Sequence, residues 1–312
     1  MNDNEKYFAG LQFENKLLKA NGQAFEDLFT QIMTLRYDDF RKVKAYGNLG
    51  DRKNDGFFPA ENIYFQCYAP EDIQKNRAEL IKKLNEDFLG LVEYWTNNGF
   101  KVENFFFVVN DKGSGLSPDA YVQLQAIAQA YPAVKMAFWL MPQVKTEFLK
   151  LAKFQVMEVV GGILTDDIGD VDYWALAEVI GHLLQNQQPI SFTENLDDRK
   201  DLDEKIKLNG LTQRVATILD VAAYQAGSVE SYIRENEKEN IQAIRDRFVN
   251  YYEESKQQYF DTVENFSDKR FIFIADKALP AHDDKNKVKK IQDAIFVLMS
   301  HFFEHCDLFE SK

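Results

Sequence analysis

Residues 50–70 read GDRKNDGFFPAENIYFQCYAP, and the fold turns on how they divide. GFF and IYFQCY are short aromatic and β-branched runs bounded by Gly, Asn, Asp and Pro, the pattern of extended strands joined by tight turns. Upstream, FRKVKAYG places apolar side chains at Phe40, Val43 and Ala45 and reads as a third strand, so the three form a meander. Before it, Leu17, Leu18, Phe25, Leu28, Phe29, Ile32, Met33 and Leu35 recur at helical spacing and predict one helix over 14–36, carrying Glu26. After it, Ile73, Leu80, Ile81, Leu84, Phe88, Leu91, Val92 and Trp95 predict a long amphipathic helix over 72–98. VENFFFVVN then reads as a strand too continuously apolar to have a wet face, followed by a helix over Pro118–Ala130, a second buried strand VKMAFWLM from Val134 and a helix from Gln143. A meander feeding helical crossovers into buried strands predicts an α/β fold, a mixed sheet flanked by helices.

Beyond Gly161-Gly162 the pattern turns helical, with candidates at Tyr173–Gln187, Leu202–Tyr224, Val229–Tyr259 with breaks, and Lys285–His305, and one short strand, RFIFIA, from Arg270. Two domains are therefore expected, 1–160 and a mainly α-helical 161–312. The charge shifts at the same place. The first 160 residues carry 19 Lys/Arg against 21 Asp/Glu, leaving 18 against 29 for the rest of a chain whose net charge is -13. Acidity argues against a nucleic-acid footprint spread over the whole surface, but it belongs to the second half. Between residues 36 and 53, Arg36, Arg41, Lys42, Lys44, Arg52 and Lys53 outnumber Asp38, Asp39 and Asp51. Arg41, Lys42, Lys44 and Arg52 are the candidate contacts to DNA phosphates.

The remaining composition excludes several classes. At 45% hydrophobic and 28% charged, the chain is neither disordered nor collagen-like. No apolar run approaches the roughly 18 residues of a membrane span, and the acidic start MNDNEKYFAG is unlike a secretory signal, so a cytoplasmic protein is expected. Two distant cysteines, Cys67 and Cys306, make no disulfide framework. DKGSG at 111–115 lacks the GK[ST] ending of a P-loop, and no G-x-S-x-G elbow is present. His301 and His305 stand one helical turn apart with Cys306 after them, but zinc needs further ligands and no second Cys/His cluster lies nearby in sequence.

Candidate chemistry gathers in residues 50–70. If the second and third strands are antiparallel neighbours, Asp55 and Gln66 meet at one edge, with Glu26 supplied by the first helix. Two carboxylates and an amide oxygen make a hard ligand set suited to Mg²⁺ or Mn²⁺. Alternation along a regular strand would bring Asp51, Lys53 and Asp55 to one face, placing an ammonium beside the metal ligands. Phosphodiester hydrolysis uses this combination.

With these residues the chain resembles the PD-(D/E)XK, or restriction-endonuclease-like, nuclease superfamily, whose core order of helix, three strands, helix, strand is the one read above. The resemblance assigns Asp55 to the motif Asp and Gln66 to the Glu/Gln. Tyr68 stands where the family has Lys, and a phenol with a pKa near 10 carries no positive charge at neutral pH. The family lysine migrates, and Lys53 is its natural substitute. GDRKNDGFFPAENIYFQCYAP is similar to the nuclease domains of bacterial anti-phage effectors, including CBASS-type nucleases and the Lamassu nuclease subunit.

A second resemblance lies at the C-terminus. AIFVLMSHFFEHCDLFESK is similar to the end of proteins of ABC-three-component systems, which close on a pattern like FFE-x-CD-[IL]-FE. It implies a subunit that works beside an SMC-like ABC ATPase and a small middle component. Together the two resemblances imply a Mg²⁺-dependent endonuclease of double-stranded DNA. It would be held inactive until the ATPase senses foreign DNA, and self-association on activation is an accompanying expectation. The alternative is a catalytically degenerate nuclease fold kept for DNA binding or assembly, with Tyr68 marking the loss of chemistry.

Overall fold

The apolar period through residues 14–36 is cut at Asn21, which is extended, and Gly22, whose φ of +47° is open to a residue without a Cβ. The single helix expected there is two: α1 (Asp3–Lys19) and α2 (Gly22–Arg36). The computed structural model describes residues 1–44, 52–162, 168–185, 202–236, 241–281, 285–305 and 308–310. They form two units, one of Phe13–Val160 and one of Met1–Gln12 with Gly161–Lys312. The first twelve residues, expected with the α/β half, thus group with the helical half.

In the α/β unit the strands are β1 (Arg41–Lys42), β2 (Gly56–Phe58), β3 (Ile63–Tyr68), β4 (Asn104–Val109) and β5 (Lys135–Trp139), side by side in that order. The meander β1-β2-β3 is antiparallel, and β3, β4 and β5 run parallel. Each parallel step crosses over through a helix, α3 (Arg77–Asn97) and α4 (Pro118–Ala130), as parallel neighbours require. The strand period of two then divides the aromatic residues. Tyr64, Phe105, Phe107 and Val109 pack with Leu84, Phe88, Leu91 and Trp95 of α3. On the other face Phe65 meets Phe29 of α2, Phe106 and Trp139. Both faces are covered, so β4 reads as a continuous apolar run.

Two short helices, α5 (Met141–Leu149) and α6 (Lys153–Val160), close the unit. NDK at the end of β4 has a structural role. Asn110 and Lys112 donate to carbonyls at the end of α1, and Asp111 accepts the amides of Met141 and Gly115.

The helical unit contains α7 (Tyr173–Leu184), α8 (Leu202–Leu208), α9 (Gln213–Ala223), α10 (Ala226–Glu235), α11 (Ile241–Gln258), α12 (Phe266–Ala278) and α13 (Lys285–His305). α13 is its centre. Ile291, Ile295, Phe296, Val297, Leu298, Met299, Phe302 and Phe303 are all buried, an apolar surface running right round the helix. α7, α9, α10 and α12 pack on it.

RFIFIA, expected as a strand, is the middle of α12. Arg270, Phe271, Ile272, Phe273, Ile274 and Ala275 are all buried, and a helix buried all round has the same continuous apolar run as a buried strand. Asp268 anchors α12 by accepting from the Tyr7 hydroxyl at 2.7 Å and the Thr212 amide at 2.9 Å. Burial and that carboxylate push the Tyr7 phenol well above its ordinary range. Among the described residues no helix is long and apolar enough to cross a membrane.

Candidate active site

The chain enters β2 through a turn. Arg52 and Lys53 are left-handed, with φ of +56° and +63°, and Asn54 closes an Asx turn by accepting the Gly56 amide at 3.1 Å. Strand alternation therefore begins at Gly56, and the expectation that Asp51, Lys53 and Asp55 share a face by periodicity does not apply; Asp51 lies outside the described residues.

Asp55 is built into the sheet. Its amide donates to Phe65 O at 2.9 Å, its carbonyl accepts Val43 N at 3.1 Å, and its carboxylate Oδ2 accepts Cys67 N at 2.6 Å. The side chain thus takes a ladder position of β3, and this charge-assisted contact holds it at 1% exposure. With Gly56 paired to Phe65, the antiparallel register sets Asp55 opposite Gln66.

Gln66 shares a strand face with Tyr64 and Tyr68. It is 8% exposed, and its Oε1 is buried without a hydrogen-bond partner among the described residues. An amide oxygen left in that state costs about 1–3 kcal/mol, a cost removed when a ligand takes the lone pair.

Glu26, in the first half of α2, acts on the same neighbourhood from the helix side. Burial first, then the carboxylates of Asp55 and Glu26, push the Cys67 thiol well above its ordinary range. Cys67 and Gln66 leave opposite faces of β3. Glu26 therefore acts from the α2 side, while the orphaned amide oxygen of Gln66 stands opposite Asp55. A carboxylate and an amide oxygen are hard donors that suit a divalent cation. Asp55 and Gln66 are the residues that would hold it, and the structure does not bring Glu26, the third ligand expected from sequence, to the Gln66 face.

Lys53 reaches the opposite helix. Its Nζ lies 2.8 Å from Asp87 Oδ1 of α3, with the lysine side chain 44% and the aspartate 2% exposed. Its Cγ lies 3.2 Å from where a Cβ on Gly90 would stand, so a side chain at position 90 would crowd it. Asp87 was not among the residues singled out from sequence, although it occupies the core-facing row of Leu84, Phe88 and Leu91, where an acid is out of place. Tyr68 stacks on Phe107 with centroids 6.1 Å apart. Its phenol is raised by burial and then by Glu79, so it stays neutral.

The four basic candidates do not act as one group. Lys42 pairs with Asp27 of α2 at 2.8 Å, holding that carboxyl below its ordinary range, and Arg41 donates to Asp38 O. Lys44 is exposed beyond β1. Arg52 instead lies over the Tyr94 ring of α3, 4.8 Å from its centroid.

Comparison with known proteins bears on the other unit. Residues 174–310 match the family model of C-terminal domain 10 of the ABC-three component (ABC-3C) systems. No curated protein and no solved structure matches the chain.

Proposed function

We propose, from an ABC-3C C-terminal domain joined to this α/β unit, that the chain is the effector of a Lamassu-type bacterial anti-phage system, a metal-dependent DNA endonuclease. One observation carries the catalytic reading. Gln66 Oε1 is buried without a partner opposite the sheet-locked carboxylate of Asp55, while Glu26 bears on Cys67 from the α2 side. A bound Mg²⁺ or Mn²⁺ would supply an activated water and charge stabilisation for the leaving oxygen.

This chain's own residues do the rest. Asp55 and Gln66 orient the ligand oxygens, and Cys67 N fixes one Asp55 oxygen. Lys53 offers an ammonium to the scissile phosphate, steered by Asp87. Arg41, Lys42 and Lys44 at the outer edge of the sheet, with Arg52 on the α3 side, meet the duplex backbone. In this reading the helical unit docks on the SMC-like ATPase and the small middle subunit, which hold the nuclease silent until foreign DNA is sensed, and the chain self-associates on activation.

The test is incubation of supercoiled plasmid with the full chain and Mg²⁺ or Mn²⁺, alone and with its partner subunits. Nicked or linear product that disappears with Asp55→Ala is expected. A second reading, an assembly or DNA-binding subunit without catalysis, has its own observation: Tyr68 is neutral and Lys53 is committed to an ion pair. Wild-type protein and Asp55→Ala that are equally inert in the reconstituted complex would select it.

A further inference from the structure

His301 and His305 stand one turn apart on α13, with ring centroids 4.6 Å apart and planes inclined by 27°. His301 is 6% exposed and His305 is half-buried. The ligand they lack in sequence arrives from 71 residues upstream. Glu230, on α10, comes against them so that one ligand atom from each of the three residues lies within 4.8 Å of the others. His305 is oriented for the purpose: its Nδ1 is 2.8 Å from His301 O. A carbonyl oxygen only accepts, so the proton sits on Nδ1 and the Nε2 lone pair is available. Metal-binding histidines are fixed by a partner at the other ring nitrogen in the same way.

We propose that Glu230, His301 and His305 form a Zn²⁺ site joining α10 to α13. Two imidazoles and one carboxylate are borderline ligands that favour zinc over Mg²⁺, which prefers oxygen alone. Bonds of about 2.0–2.1 Å put tetrahedral ligand atoms roughly 3.3 Å apart, so the three groups close by about 1 Å or a little more. Glu230 is exposed and has the rotational freedom to supply that movement. Three protein ligands leave a fourth position for water. The site is independent of Asp55 and Gln66, which lie in the other unit.

The experiment uses the full chain without a polyhistidine tag, stripped with a chelator and titrated with Zn²⁺ by calorimetry, then with Co²⁺ while the visible spectrum is followed. One Zn²⁺ per chain and the intense d–d absorption of four-coordinate Co²⁺ are expected. His305→Ala should weaken Zn²⁺ binding by more than about a hundredfold and Glu230→Gln by about tenfold or more, since loss even of a supporting partner costs about 10–100-fold. Asp55→Ala should keep the four-coordinate Co²⁺ absorption, which the oxygen ligands of the other unit would not give. Glu230→Gln changes an exposed residue and keeps the test open should His305→Ala fold poorly. Absence of stoichiometric Zn²⁺ from the wild type, weak six-coordinate Co²⁺ bands, unchanged binding in Glu230→Gln, or loss of the four-coordinate Co²⁺ absorption in Asp55→Ala would each overturn the site.

Discussion

Replacing Lys53 by alanine tests two properties at once, because its partner Asp87 is 2% exposed. Without the ammonium, a carboxylate remains inside α3 with no opposing charge. Breaking a fully buried pair in this way costs about 3–5 kcal/mol. Lys53 is 44% exposed, so solvent screens the pair and the expected loss falls to about 1–3 kcal/mol. At ~2–4 °C per kcal/mol, that lowers the Tm by roughly 2–12 °C. Asp87→Asn removes the buried charge and leaves the lysine near water, so it should cost under about 1 kcal/mol. Lys53→Ala with Asp87→Asn should be more stable than Lys53→Ala alone, a positive coupling. Urea denaturation followed by circular dichroism measures the cycle, and plasmid nicking on the same four proteins separates stability from chemistry. If Lys53 serves the scissile phosphate, both proteins lacking it are inactive, including the stability-rescued one, while Asp87→Asn, which keeps the ammonium but not the ion pair that steers it, retains reduced activity. Equal destabilisation with no coupling would refute the ion-pair argument, and nicking by the double variant would refute the role of Lys53.

Gln66→Glu places a second carboxylate opposite Asp55. It should lower stability in chelator and tighten Mn²⁺ binding, read by melting with and without metal and by electron paramagnetic resonance of free Mn²⁺; unchanged behaviour in both would count against the metal site. Tyr68→Phe removes a neutral hydroxyl worth about 1 kcal/mol, and nicking should remain substantial; its abolition would mean that the phenol does the work assigned here to Lys53. Lys112 is lowered by burial to about 8, below an unfolded lysine near 10.4. Between those values the unfolded chain binds the extra proton, so Lys112 makes stability rise with pH from about 8 to about 10.4; Lys112→Met should flatten that rise in urea midpoints, and an unchanged slope would exclude this lysine as its source. A fragment of residues 13–160, freed of the acidic helical unit, should bind labelled duplex more tightly than the full chain at low salt, with the difference shrinking at high salt; equal affinities at both would remove the inhibitory role of that charge.

The sequence by itself determined what local periodicity and turn chemistry carry. The meander, the crossover helices α3 and α4, the buried strands β4 and β5 and the apolar α13 were all legible, because each is a periodic or continuous apolar run of strand or helix length, most of them bounded by Gly, Pro, Asn or Asp. The spacing of Asp55 and Gln66 was legible for the same reason, since two residues opposed across a short antiparallel turn are close in the chain.

Tertiary structure decided the rest. RFIFIA became helix because burial on all sides erases the difference between the two periods. The left-handed turn at Arg52 and Lys53 sent the lysine to Asp87, a residue one long helix away whose burial no local pattern announces. The histidine pair on α13 was plain in sequence, but its third ligand was not. Glu230 is exposed on a separate helix and reaches His301 and His305 only because α10 packs on α13. Partners set by helix packing across dozens of residues leave no trace in spacing, and both the ion pair of Lys53 and the site on α13 are of that kind.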